Sequence, residues 1–188
     1  MGSVWRDARS IADLGRSMAG WLQGQVPSWP GYLADEFGVE ETDGARHLVP
    51  TLTALNKAGF VTACSQPGSD EVVDGVRWNQ RAWVEGVVHD RSPLLGQLLK
   101  LQDQGFTVVR GWPKRQIVLT EVDGSLFTAI GGWKMRRDDI HSTWRGVGRQ
   151  ALREVRQHGA VLHIIDPAWG RDDRLWPALD GITASTAR

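Results

Sequence analysis

The chain has 188 residues and carries 22 basic and 22 acidic side chains, so its formal net charge is zero. That balance gives no electrostatic footprint for nucleic acid or for an anionic membrane surface, and neither partner is expected. The single cysteine, Cys64, excludes an internal disulfide and fits a reducing compartment.

In chain order, Arg6, Asp7, Arg9, Asp13 and Arg16 interrupt the N-terminal stretch, so no signal peptide is expected there. No apolar run approaches the roughly 20 residues of a membrane helix, and a cytoplasmic protein is the expectation. Ser10-Ile11-Ala12-Asp13 reads as a helix start, with an N-cap hydroxyl and an acid three residues on. Ile11, Leu14, Met18, Trp21 and Leu22 follow at helical spacing. Gln23 to Tyr32, rich in Gly and Pro, reads as a loop.

A helix is expected from about Ala45 to Lys57, burying Leu48, Val49, Leu52 and Leu55 and ending at Gly59. Phe60 to Ser65 is a compact β-favouring run, followed by a polar loop to Asp74. Gly75 to Val88 reads as one long strand. Ser92-Pro93 caps a leucine-rich helix that Gly105 ends. Strands are expected at Phe106–Arg110, Gln116–Glu121 and Ser125–Ile130, with Asp123-Gly124 as a hairpin turn. Trp144 to His158 reads as a helix, Val161–Ile165 as an apolar strand, and Leu175 to Ile182 as a closing helix. Interleaved helices and strands indicate an α/β or α+β domain.

Particular side chains carry a bland reading beside a sharp one. Ten tryptophans fill a core, or else some stack on a flat ligand or a partner. Cys64, in an apolar strand, is read as a small buried residue without a neighbouring base. His163, Asp166, Asp172 and Asp173 match no zinc or calcium spacing, and no metal is expected. Arg136-Arg137-Asp138-Asp139 reads as a solvated loop.

Four stretches, in order, resemble the C-terminal regulatory domain of eukaryotic-type methylenetetrahydrofolate reductase. Leu55-Asn56-Lys57-Ala58-Gly59-Phe60-Val61-Thr62-Ala63-Cys64-Ser65-Gln66-Pro67 is similar to that family's LNRxGxLTxNSQP. Gln80-Arg81-Ala82-Trp83-Val84-Glu85 is similar to its QKAYLE. Ser125-Leu126-Phe127-Thr128 occupies the place of its AVTWG strand, and Ile165-Asp166 with Asp172-Asp173-Arg174-Leu175-Trp176 is similar to its LVDNDFPLDNCLW. The chain also resembles small actinobacterial proteins, and a cellular or phage origin stays open.

The length suits a single domain over residues 1–188, two small domains being the less favoured alternative, with 1–32 as an N-terminal helix and loop. The resemblance covers 41–182 and implies there a regulatory-domain-like core with a mixed sheet flanked by helices. It also implies a small-molecule nucleoside ligand, S-adenosylmethionine or S-adenosylhomocysteine. Ligand-binding positions carry over to Glu41 and Thr42 (across a two-residue insertion, Asp43-Gly44), to Ser65 and to Thr128. Trp78, Trp83 or Trp133 would stack on adenine or face the sulfonium. The residues read here contain no flavin- and folate-binding barrel, so reductase activity is not expected, and Cys64 replaces the family's Asn. Three roles stay open: a sensor, sequestering or regulatory protein; a protein-interaction module or homodimer on the same fold with the pocket lost; and, last, an enzyme acting on the nucleoside.

Overall fold

The computed structural model describes residues 4–29, 43–132 and 143–186. The helices are α1 (Val4–Asp7), α2 (Ile11–Leu22), α3 (Val49–Ala58), α4 (Pro93–Leu99), α5 (Arg149–His158) and α6 (Leu175–Thr186). The strands are β1 (Phe60–Gln66), β2 (Ser69–Val73), β3 (Val76–Gln80), β4 (Trp83–His89), β5 (Thr107–Arg110), β6 (Ile117–Val122), β7 (Ser125–Ile130) and β8 (Gly159–Ile165). Helices and strands interleave as the pattern predicts. The strands pair antiparallel in two four-stranded sheets, ordered β1-β4-β8-β5 and β2-β3-β6-β7.

Local chemistry sets the boundaries. The Ser10 hydroxyl accepts from the Asp13 N–H and caps α2. Pro50 stands in the first turn of α3, and the expected single helix becomes a 3₁₀ turn over Asp43–Leu48 followed by α3. Gly59, at φ 100°, then reverses the chain into β1, a conformation Cβ-bearing residues resist. The expected polar loop before Gly75 is instead strand β2, and Asp74 and Gly75 both have positive φ, as a tight primed hairpin turn requires. The expected long strand is divided: Arg81 and Ala82 separate β3 from β4.

The Phe60–His89 hairpin therefore serves both sheets. Its base, β1 and β4, lies in the first sheet, and its tip, β2 and β3, in the second. Strand alternation gives the first sheet two apolar faces. Phe60, Val84, Val88, Leu162 and Ile164 meet leucines of α3 and α4 and Leu175, Trp176 and Leu179 of α6. Val61 and Val87 point the other way, into a layer with Trp5, Leu14 and Met18, where Trp29 lies 4.9 Å from Trp144. A small third cluster joins the sheets through Trp83, Ile165, Leu119 and Ile130. Tryptophans 5, 29, 83, 144 and 176 are buried, so the core-filling reading accounts for these five. Among the described residues no helix is long and apolar enough to cross a membrane.

Candidate functional site

The chain crosses between the two sheets at Pro67-Gly68 and again at Arg81-Ala82, and polar side chains stitch this junction. Gln66 donates through Nε2 to the carbonyls of Arg81 (3.0 Å) and Leu119 (3.3 Å) and lies 3.3 Å from the Thr120 hydroxyl. Gln80 donates to the Pro67 carbonyl at 2.7 Å. Arg81 donates to the Val118 carbonyl, and its guanidinium lies 4.1 Å from the Trp169 ring centroid. Desolvation lowers the Arg81 guanidinium below its ordinary value, against the opposing charges of Glu121 and Asp166.

The loop after β8 closes over the same junction. Asp166, fully buried, takes a bidentate pair from Arg171 at 2.8 and 2.6 Å and also accepts from the Ala168 N–H. Asp172 is a hub. Its Oδ1 accepts from the Gly68 N–H and from Trp176 Nε1, both at 2.7 Å, and its Oδ2 lies 2.6 Å from His47 Nε2. One carboxylate thus joins the turn before α3, the Ser65–Gly68 turn and the start of α6. Gly68 is required there, because a Cβ would fall 2.2 Å from the Arg171 carbonyl oxygen.

The expected ligand residues distribute around this junction. Ser65 is half-buried on β1, opposite Val84. Thr128 is exposed on β7, opposite Thr120, whose hydroxyl meets Gln66. Glu41, Thr42 and Trp133 lie outside the described residues, as does the run Arg136–Asp139. Trp78 is half-buried with its ring 5.0 Å from Phe127, edge to face. Trp83 is only 6% exposed and lies parallel to the His163 ring at 6.4 Å, so its surface is spent on the interior.

Cys64 is exposed rather than buried: a bulge at Ala63 shifts the register of β1, and Cys64 sits opposite Glu85 where the helical cover has ended. Dense protein nevertheless surrounds the sulfur on its other sides. Desolvation first, then the Glu85 charge, push the thiol up to about 11; its exposed surface decides access and the raised value its reactivity. Asp172, read as an acid suited to the start of the last helix, instead bonds across the fold.

Sequence reasoning also missed a polar pair between β4 and β8, of which one partner is wholly buried and the other partly. His163 is wholly buried with Nδ1 3.2 Å from the Glu85 carboxylate, and Trp112 lies edge-on at 5.2 Å. Neither His163 nitrogen nor Trp83 Nε1 makes an aligned hydrogen bond among the described residues. The available signal was register: Glu85 and His163 are polar residues on apolar strands, and the antiparallel pairing puts them opposite each other.

The chain belongs to the family described as "Domain of unknown function (DUF6919)", which matches residues 1–186. No curated protein matches it.

Proposed function

We propose that this protein is a ligand-binding domain for S-adenosylmethionine or S-adenosylhomocysteine, acting as a sensor, sequestering or regulatory protein. The observation that carries the reading is the Asp172 hub. It ties His47, five residues beyond Thr42, to Gly68, three residues beyond Ser65. Asp172 therefore holds together His47 and Gly68, each a few residues along the chain from a position that the resemblance implies for the ligand. Thr128, the remaining such position, is linked to Gln66 through its pairing with Thr120. The ligand's carboxylate and ribose suit hydroxyls and backbone N–H groups of this kind, and its cationic end suits the face of a half-buried indole such as Trp78. Binding would favour one arrangement of the junction loops, a population shift that a partner reads.

Titration calorimetry with each nucleoside tests this. The expected result is saturable heat that Ser65→Ala weakens roughly tenfold, the size of one lost polar contact. Absence of both heat and thermal shift at millimolar nucleoside overturns it.

A second reading, a protein-interaction module, is favoured by Val72, Val73, Leu126 and Phe127. All four are exposed apolar side chains near the hairpin ends of the second sheet.

A further inference from the structure

At the far end of the first sheet, remote from the junction, four chemistry-bearing side chains meet. β4 ends on His89 and continues to Asp90; α5 carries Glu154 and ends on His158. The two ends are fastened together, since the Asp90 N–H donates to the His158 carbonyl at 2.7 Å and His89 pairs with Gly159 across the ladder. One donor atom from each of His89, Asp90 and His158 falls within a 4.8 Å group.

We propose that His89, Asp90 and His158 form a binding site for a divalent late transition metal such as zinc, with Glu154 as the group that orients His89. Each imidazole turns its Nδ1 toward the same carboxylate: His89 Nδ1 lies 3.3 Å from Asp90 Oδ1, and His158 Nδ1 lies 3.7 Å from Asp90 Oδ2. Tetrahedral zinc with bonds of about 2.1 Å holds its donors roughly 3.4 Å apart, so these separations need only small rotations. The rings are stacked at 5.2 Å, and one must tilt to bring its lone pair to a shared ion. Both are half-buried, with room to turn.

The tautomer of His89 suits a metal at Nδ1 once one hydrogen bond is given up. Its Nδ1 accepts from the Arg91 N–H at 3.1 Å, which places the ring proton on Nε2, and a metal at Nδ1 would take over the lone pair that this bond holds. Nε2 in turn faces Glu154 Oε1 at 3.8 Å, while the other Glu154 oxygen is held by the Ile11 N–H at 2.5 Å. A carboxylate behind the imidazole is the arrangement that fixes ring orientation and raises basicity in metal-binding histidines. With neutral imidazoles, Asp90 and Glu154 bring two negative charges that one divalent ion balances. Mixed imidazole and carboxylate donors favour zinc, cobalt or nickel over magnesium and calcium. Three protein donors leave a fourth position to water.

The test uses the tag-free full chain and zinc or cobalt salts alone. Equilibrium dialysis should give one zinc per chain, cobalt should show visible bands of tetrahedral coordination, and zinc should raise the melting temperature. His89→Ala and His158→Ala should each weaken zinc binding tenfold or more and abolish the cobalt bands. Glu154→Gln should weaken binding while keeping the bands. His89→Gln is the fallback should the alanine variant unfold. Stoichiometry far below one, or zinc binding unchanged in a folded His89/His158 double variant, overturns the proposal. Its failure leaves the nucleoside reading untouched, because Ser65→Ala lies at the other end of the sheet and should not alter zinc binding.

Discussion

The first sheet is covered by helices on both faces, whereas the second keeps much of its surface in water. Phe60, Leu162 and Ile164 have almost no accessible surface, while four strand residues at the tip of β7, Ser125 to Thr128, are all exposed. The first sheet is stabilised by buried apolar area. The second is attached through hydrogen bonds to backbone carbonyls at the junction and through the small Trp83–Ile130 cluster. The molecule therefore joins a rigid platform to a more lightly held attachment, and the proposed nucleoside site lies where they meet. Lightly held elements are where ligand-linked motion is drawn from.

The largest expected effect tests the platform. Leu162→Ala should cost about 2–5 kcal/mol of unfolding free energy in urea, because the side chain is fully enclosed and the layers around it cannot collapse into the gap. Phe127→Ala removes a larger side chain from an exposed position and should change stability by no more than about 0.5 kcal/mol. Similar losses for the two variants would erase the distinction between the sheets.

A smaller and more local effect tests the attachment. Gln66→Ala leaves the Arg81 and Leu119 carbonyls and the Thr120 hydroxyl short of one donor, which should cost about 1–3 kcal/mol. The loss should be confined: amide exchange should speed up along Leu119–Val122 while the Leu162 amide keeps its protection. Uniform acceleration would mean that the two sheets open as one unit.

The same contrast explains what the sequence revealed. Helix α2 was legible because Ser10 caps it locally and its apolar residues recur at helical spacing. The Asp123-Gly124 turn was legible because apolar runs flank it. Asp74-Gly75 is the same turn chemistry, yet the sequence over β2 has the look of a loop: Asp70, Glu71, Val72 and Val73 are all exposed, so no burial alternation marks the strand. The site was less legible for a different reason. Asp172 bonds partners 104 and 125 residues away, and His47 and Gly68 carry no local mark of that role. Ser65 and the turn after it were found through resemblance, not through period or spacing. The His89–Asp90–His158 cluster depends on strand pairing that brings a strand end to a helix end.

The mildest probe asks where the platform's cover stops along β1. Val61 lies under α2, but three residues on Cys64 faces solvent beside Glu85. Exposure alone would make this thiol quick to alkylate. Its raised value of about 11, against an ordinary 9.0, leaves roughly a hundredfold fewer thiolates at neutral pH. Iodoacetamide should therefore react slowly at neutral pH, and the rate should climb with pH until it levels near 11. Glu85→Gln removes the like charge, which is the second cause of the shift, so the profile should move to lower pH only in part, the desolvation remaining. A profile already level below pH 9 would mean that the sulfur stands in open water, and that the crowded edge between platform and attachment begins farther along the strand than Cys64.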